Sequence, residues 1–113
     1  MTFRAMITAL LLLAVALPAA ADRTVLQEAI EVIASDLRLP RTEGGTIALR
    51  ECRSCSYRVL RVAPDARFNV NGGAVELDKF RALLFQLADA DKKAVTVVHH
   101  IERDQVISVS VWL

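Results

Sequence analysis

The first 21 residues limit what this chain can fold into, because they have the pattern of an export signal. Arg4 supplies a positive charge, and an apolar run interrupted by one threonine extends over residues 6–17. That run is shorter than the roughly 20 residues that a transmembrane helix needs. Pro18 and three alanines follow, which is the pattern that signal peptidase accepts. We therefore predict a signal peptide over residues 1–21 and a single exported domain over residues 22–113.

The remaining chain has the composition of a small neutral domain. The whole sequence contains 14 basic and 13 acidic residues, and removal of Arg4 makes the two numbers equal. A domain of about 92 residues buries roughly 60–65% of its unfolded surface. The bacterial type of the signal predicts a periplasmic or secreted protein without a membrane span after cleavage, and an uncleaved anchor is the alternative. A neutral exported chain is not expected to bind nucleic acid.

The start of the exported domain has helical periodicity. Apolar residues recur at helical spacing, namely Leu26, Ala29, Ile30, Ile33 and Leu37. Thr24 is a candidate N-cap, and Gln27 completes a capping box three residues later. Because Pro40 prevents continuation, we predict a helix that lies within residues 22–40.

From Thr46 onward the sequence has the residue pattern of β-strands. Strands are predicted over "TIALREC", "SYRVLRVA" and "RFNV", with a turn at Pro64-Asp65 before the last of them. Asn71-Gly72 favours a type I′ hairpin turn, which would pair Phe68 with Val75. A second helix is predicted over "LDKFRALLFQLADA" with Asp78 as N-cap, and two final strands over "AVTVVHHI" and "VISVSVWL".

The two final strands need a shared core face. Their apolar residues are all odd-numbered: Val95, Val97 and Ile101 on one strand, and Ile107, Val109, Val111 and Leu113 on the other. A two-residue turn would place these sets on opposite faces, whereas an odd-length loop or a β-bulge places them together. We predict an odd loop around residues 102–105, with His99 facing the core and His100 facing outward.

The order of strands and helices resembles that of the OB-fold, which has a helix between its third and fourth strands. The stretch "ARFNVNGGAVELDKF", followed by "VTVVHHIERDQVISVSVWL", is similar to small periplasmic OB-like families, so the resemblance covers about residues 47–113. It implies an α+β fold, with the N-terminal helix followed by a five-stranded, mostly antiparallel OB-like barrel or sheet. It also implies a binding or accessory module without enzymatic activity. An open sheet with both helices on one face is the alternative.

The two cysteines of the chain, Cys52 and Cys55, have three interpretations. As the ends of a β-turn, their Cα atoms would lie within 7 Å, which overlaps the range that a disulfide accepts. An oxidising compartment favours such a bond. In thioredoxin-like proteins a CxxC pair opens a helix, but here the strand-like "SYRVLRV" follows. A structural disulfide is therefore the favoured interpretation, and a periplasmic thiol-redox or metal-handling protein is the alternative.

A metal site and a cofactor are not predicted. The cysteine pair supplies two soft ligands, whereas a closed zinc site needs four. His99 and His100 are adjacent on a strand and would face opposite sides. The sequence also has no Ser/His/Asp grouping, glycine-rich phosphate loop or suggestive carboxylate pair. Nothing in the sequence therefore indicates an enzyme.

Basic residues around the cysteines form a candidate binding face. Its members are Arg50, Arg53, Tyr57, Arg58 and Arg61. In a hairpin with a tight turn, Arg50 would lie opposite Tyr57, where a cation–π contact can form. Such a face would suit an anionic envelope ligand, such as the phosphates of lipid A, or an unknown protein partner with an acidic surface. The competing interpretation is a solvated strand face with no ligand.

Overall fold

Seven strands dominate residues 26–113, the part of the chain that the computed structural model describes. The strands are β1 (Gln27–Ile33), β2 (Leu37–Arg38), β3 (Thr46–Leu49), β4 (Arg58–Val70), β5 (Gly73–Val75), β6 (Ala94–His100) and β7 (Gln105–Val111). The helix α1 (Leu77–Phe85) lies between β5 and β6, and a 3₁₀ turn (Ala34–Asp36) separates β1 from β2. The predicted signal peptide over residues 1–21 lies outside the described residues.

All seven strands belong to one sheet. Its order is β1-β6-β7-β4-β3-β2, and β5 pairs with the far end of β4. The β4–β7 pair is parallel and the other pairs are antiparallel. The predicted five-stranded OB-like fold is therefore wrong, because the described residues contain two further strands before β3 and the helix follows the fifth strand. The alternative of an open sheet under two helices is also wrong, because α1 is the only α-helix within residues 26–113.

The predicted helix within residues 22–40 is wrong, since most of that segment is β1, the 3₁₀ turn and β2. In β1, Ile30 and Val32 are buried, whereas Glu31 and Ile33 are exposed. This burial has a period of two, which suits β-branched residues on a pleated surface. Pairing of β1 with β6 along its whole length fixes this conformation. The helical spacing of Ile30 and Ile33 is real, but tertiary pairing overrides it.

The Asn71-Gly72 hairpin is confirmed. Phe68 pairs with Val75, and the two turn residues have φ angles of +53° and +85°, as a type I′ turn requires. The ring of Trp112 lies against this turn, so that a Cβ added to Gly72 would come within 3.3 Å of it. Glycine at this position therefore serves both the backbone and the packing.

Two neighbouring predictions need correction. The chain does not turn at Pro64-Asp65, because β4 continues through this dipeptide and only shifts register against β7 between Val62 and Arg67. The second helix ends at Phe85, earlier than predicted, and its N-cap position is Glu76 rather than Asp78. The cap residue makes no side-chain hydrogen bond.

A β-bulge aligns β6 with β7. His99 pairs with Val106 while Val98 pairs with Ser108, so that Ile107 is the extra residue. The connecting loop over residues 101–104 has an even length, and the predicted odd loop is therefore wrong. The bulge that the same argument allowed takes its place.

This bulge gives β6 and β7 the predicted shared core face, but some of the residues on that face differ from those predicted. Val95 and Val97 pair with Val111 and Val109, and all four are buried. Val106 joins them, whereas Ile101 is 45% exposed. His99 is 4% exposed and His100 is half-buried on the other face, as predicted.

The core lies between one face of the sheet and α1. Phe80 of α1 is fully buried and its ring centroid lies 5.4 Å from that of Phe68 on β4. The remaining large buried residues are aliphatic and come from β1, β3, β4, α1, β6 and β7. The opposite face of the sheet, here called the outer face, carries mainly polar and small residues.

Candidate functional site

The β3–β4 connection is an exposed loop over residues 50–57, here called the cysteine loop. A disulfide joins Cys52 to Cys55, whose Cα atoms are 5.0 Å apart. The Cys55 N–H donates to the Cys52 carbonyl at 3.0 Å, which closes a β-turn. The predicted disulfide and its place at the ends of a turn are therefore confirmed. Both cysteines are exposed and lie outside every strand.

Ion-pair and aromatic contacts hold the base of the cysteine loop. Arg50 donates to Asp36 through Nε at 2.8 Å and through its backbone N–H at 3.1 Å. The Asp36 hydrogen bond raises the pKa of Arg50 above its ordinary value. The guanidinium carbons of Arg38 and Arg50 lie 4.5 and 5.0 Å from the ring centroid of Tyr57. The predicted Arg50–Tyr57 contact is present, and β2 adds a second arginine to it.

A charged cluster crosses the sheet beside this loop. His99 Nδ1 lies 2.9 Å from Glu28 Oε1, and His99 Nε2 lies 2.9 Å from Asp104 Oδ1. Arg58 donates to the same Glu28 oxygen at 3.0 Å. A neutral imidazole can donate to one of these carboxylates, whereas an imidazolium can donate to both. We call Glu28, Arg58, His99 and Asp104 the histidine cluster.

The histidine cluster also shows that the sheet curls. Glu28 is on β1 and Arg58 is on β4, three places away in the sheet order. In a flat sheet these strands would be about 14 Å apart, at roughly 4.8 Å per step. Their 3.0 Å contact requires the sheet to bend towards its core face. The cluster therefore closes one end of the core.

Protonation of Glu28 should weaken this closure. Its hydrogen bond with Arg58, followed by that with His99, lowers the pKa of Glu28 from an ordinary 4.5. A carboxylate with a lowered folded pKa contributes stability that is complete above its unfolded pKa and is lost as the pH falls through the folded value.

We therefore expect Glu28→Gln to destabilise the protein near neutral pH and to lose this effect in acid. Urea unfolding between about pH 3 and about pH 7 measures the difference in unfolding free energy. The control is Glu31→Gln, which removes an exposed carboxylate from the other face of the same strand. An identical pH dependence in the two variants would contradict the assignment.

The structure does not place all five predicted binding residues on one surface. Arg50 and Arg58 are engaged by Asp36 and Glu28. Arg61 lies between the buried residues Leu60 and Val62, so it projects from the outer face. Tyr57 is half-buried at the base of the loop, and Arg53 is exposed at its tip.

The acidic partners of Arg50, Arg58 and His99 are not evident from the sequence. Asp36 falls within the predicted helix over residues 22–40, and no sequence motif includes Glu28 or Asp104. Glu28 shares the core face with Ile30 and Val32, so alternation along β1 would have placed its carboxylate on that face. Asp104 has φ +53°, and no sequence pattern connects it with His99.

Comparisons with known proteins give no relative. No family model, curated protein or solved structure matches this chain. Over residues 26–113, no helix has the length and apolar character needed to cross a membrane. In the same range, no three His, Cys, Asp or Glu side chains are grouped so that they would hold a metal ion.

Proposed function

We propose that this chain is a small exported, non-enzymatic binding module that presents the cysteine loop to a protein partner with an acidic pocket. One observation carries this proposal. The loop is fixed at its tip and at its base, whereas the arginine at the tip, Arg53, has no acidic partner among residues 26–113.

Rigidity of the loop favours binding. The disulfide and the turn hydrogen bond fix the tip, while Arg50–Asp36 and the arginine contacts of Tyr57 fix the base. A loop that is already ordered loses less conformational entropy when a partner binds. Exposed loops on a rigid sheet are also where binding residues concentrate. The disulfide itself supports export, because such bonds persist in oxidising compartments.

The charge distribution favours a protein pocket over a lipid surface. Binding to an anionic membrane takes clusters of about four to eight basic residues. In this loop Arg50 is paired with Asp36, the neighbouring Arg58 is paired with Glu28, and Glu51 adds a negative charge. Arg53 is left as a single projecting guanidinium, which suits a bidentate contact with a carboxylate.

Site-specific photocrosslinking tests this function. A photoreactive residue at Ser54, beside Arg53, should give one major protein adduct in periplasmic extract. The same group at Lys79, on the exposed side of α1, should not give that adduct. Arg53→Glu in the Ser54 probe protein should abolish the adduct, whereas Lys79→Glu in that probe protein should leave it unchanged. The same adduct after Arg53→Glu, or a saturable loop contact with lipid A vesicles instead of a protein, would refute the proposal.

A thiol-redox role is the second candidate function, and the exposure of both cysteines favours it. In such a role a thiolate of an exported dithiol protein attacks one sulfur and breaks the Cys52–Cys55 bond. The second thiol of that protein then resolves the mixed disulfide, so this chain gains two thiols and its partner gains a disulfide. Since the cysteines lie outside the strands, this step leaves the sheet pairing intact.

We expect the disulfide to be structural. Titration against glutathione buffers, read as alkylated thiols by mass, should give a reduction potential below about −300 mV. Cys52→Ser with Cys55→Ser should lower the free energy of unfolding by about 1–3 kcal/mol, because the closed loop is short. Half-reduction between about −270 and −120 mV with an unchanged fold would favour the redox role instead.

A further inference from the structure

A polar cavity opens at the end of the sheet, away from the cysteine loop in sequence. It measures about 470 Å³, and its polar lining residues are Gln27, Asp65, Arg67, His100, Arg103 and Ser108. They come from β1, β4, β6, β7 and the β6–β7 loop. Neither the disulfide nor the histidine cluster contributes to this lining.

Strand register brings these side chains together. Gln27 pairs with His100 across β1 and β6, and Arg67 pairs with Ser108 across β4 and β7. The bulge at Ile107 and the register shift of β4 both occur here, so the outer face is locally irregular. Bulges re-aim side chains and are common beside binding sites.

The hydrogen bonding of His100 fixes which nitrogen can serve a ligand. Its Nδ1 accepts the backbone N–H of Arg103 at 3.1 Å. A nitrogen that accepts a hydrogen bond carries no proton, so the neutral ring has its proton on Nε2. His100 therefore offers an N–H donor from Nε2.

The other polar side chains that line the cavity are mostly hydrogen-bond donors. Arg67 and Arg103 each carry a guanidinium, and neither has an acidic partner within residues 26–113. The Ser108 hydroxyl and the Gln27 amide add further donors. Asp65 is the one carboxylate in the lining. It can accept a hydrogen bond from a protonated ligand oxygen.

We propose that this cavity binds a phosphate group that carries one proton. Two guanidiniums and an imidazole N–H suit the anionic oxygens of a phosphate group, and arginine matches phosphate geometry bidentately. The Asp65 carboxylate distinguishes a protonated phosphate, which donates to it, from sulfate, which has no proton to donate at neutral pH. The ligand is either free inorganic phosphate or a phosphomonoester headgroup.

Nuclear magnetic resonance titration of the exported protein with inorganic phosphate tests the site. Saturable shifts should appear at His100 and Ser108, and sulfate should bind more weakly. Arg67→Gln should weaken phosphate binding about tenfold, as expected for the loss of one charge-assisted hydrogen bond. Arg41→Gln makes the same charge change at an exposed position outside this lining and should leave phosphate affinity unchanged. Equal losses in the two variants, or no saturable binding, would overturn the site.

Asp65→Asn separates this proposal from general charge attraction. It should strengthen sulfate binding and remove the preference for phosphate, whereas charge attraction alone would strengthen the binding of both anions equally.

Vesicles with phosphatidic acid, compared with phosphatidylcholine vesicles, identify the source of the phosphate. Binding to phosphatidic acid that is lost in Arg67→Gln supports a headgroup, and binding of free phosphate alone supports the soluble anion. The photocrosslinking experiment at Ser54 is independent of both results.

Discussion

Replacing His99 by aspartate is expected to lower the free energy of unfolding by about 3–5 kcal/mol, the effect of leaving a buried charge without its partner. His99 is 4% exposed, and its two ring nitrogens each lie 2.9 Å from a carboxylate oxygen. An aspartate at this position would place a third carboxylate between Glu28 and Asp104. The repulsion would act at the end of the core, where the cluster joins β1, β4 and β6.

Urea unfolding at neutral pH measures this effect. His100→Asp is the matched control, because it makes the same change one residue later on the other face of β6. It should change the free energy of unfolding by less than about 0.5 kcal/mol, as is usual at surface positions. His99→Gln keeps one hydrogen-bond donor, so its loss of unfolding free energy should lie between those of the two aspartate variants. Similar losses of unfolding free energy for His99→Asp and His100→Asp would contradict the stabilising role of the histidine cluster.

Replacing Phe80 by alanine is expected to destabilise the protein by about 3–5 kcal/mol, the usual cost of removing a buried phenylalanine. Phe80 is fully buried, and its ring packs against Phe68 of β4. Since α1 is the only α-helix over residues 26–113, this side chain fixes the helix to the sheet.

The matched control for Phe80 lies on the same helix. Phe85 is 91% exposed, so Phe85→Ala should change the free energy of unfolding by less than about 0.5 kcal/mol. Thermal or urea unfolding of both variants gives the comparison. A large loss for Phe85→Ala would show that α1 packs through its other side.

Features set by neighbouring residues could be predicted from the sequence. Asn71-Gly72 determines its own turn through backbone preferences, so the pairing of Phe68 with Val75 followed directly. The Cys52–Cys55 bond needed only a turn of the right span. His99 faces the core as predicted, although a β-bulge rather than the predicted odd loop aligns the two strands.

Features set by distant strands could not be predicted. Residues 27–33 have apolar side chains at both helical and alternating spacing, and pairing with β6 decides between them. Arg38 reaches Tyr57 only because β2 pairs with β3. The contact between Glu28 and Arg58 requires the curl of the whole sheet, which local sequence does not encode. The charged site was therefore predicted as one arginine face, although the fold pairs two of its arginines with acids.

The central position of β7 has a consequence for the order of folding. Without it the sheet consists of two separate ribbons, β1 with β6 and β4 with β2, β3 and β5. β7, the last strand within residues 26–113, joins them through a parallel pair on one side and an antiparallel pair on the other. The β6–β7 pair is a local hairpin, whereas the parallel β4–β7 pair joins distant parts of the sequence and forms slowly, because a long loop must close first. The two ribbons therefore stay unconnected until β7 pairs with both of them, so we expect the complete sheet to form only when β7 docks.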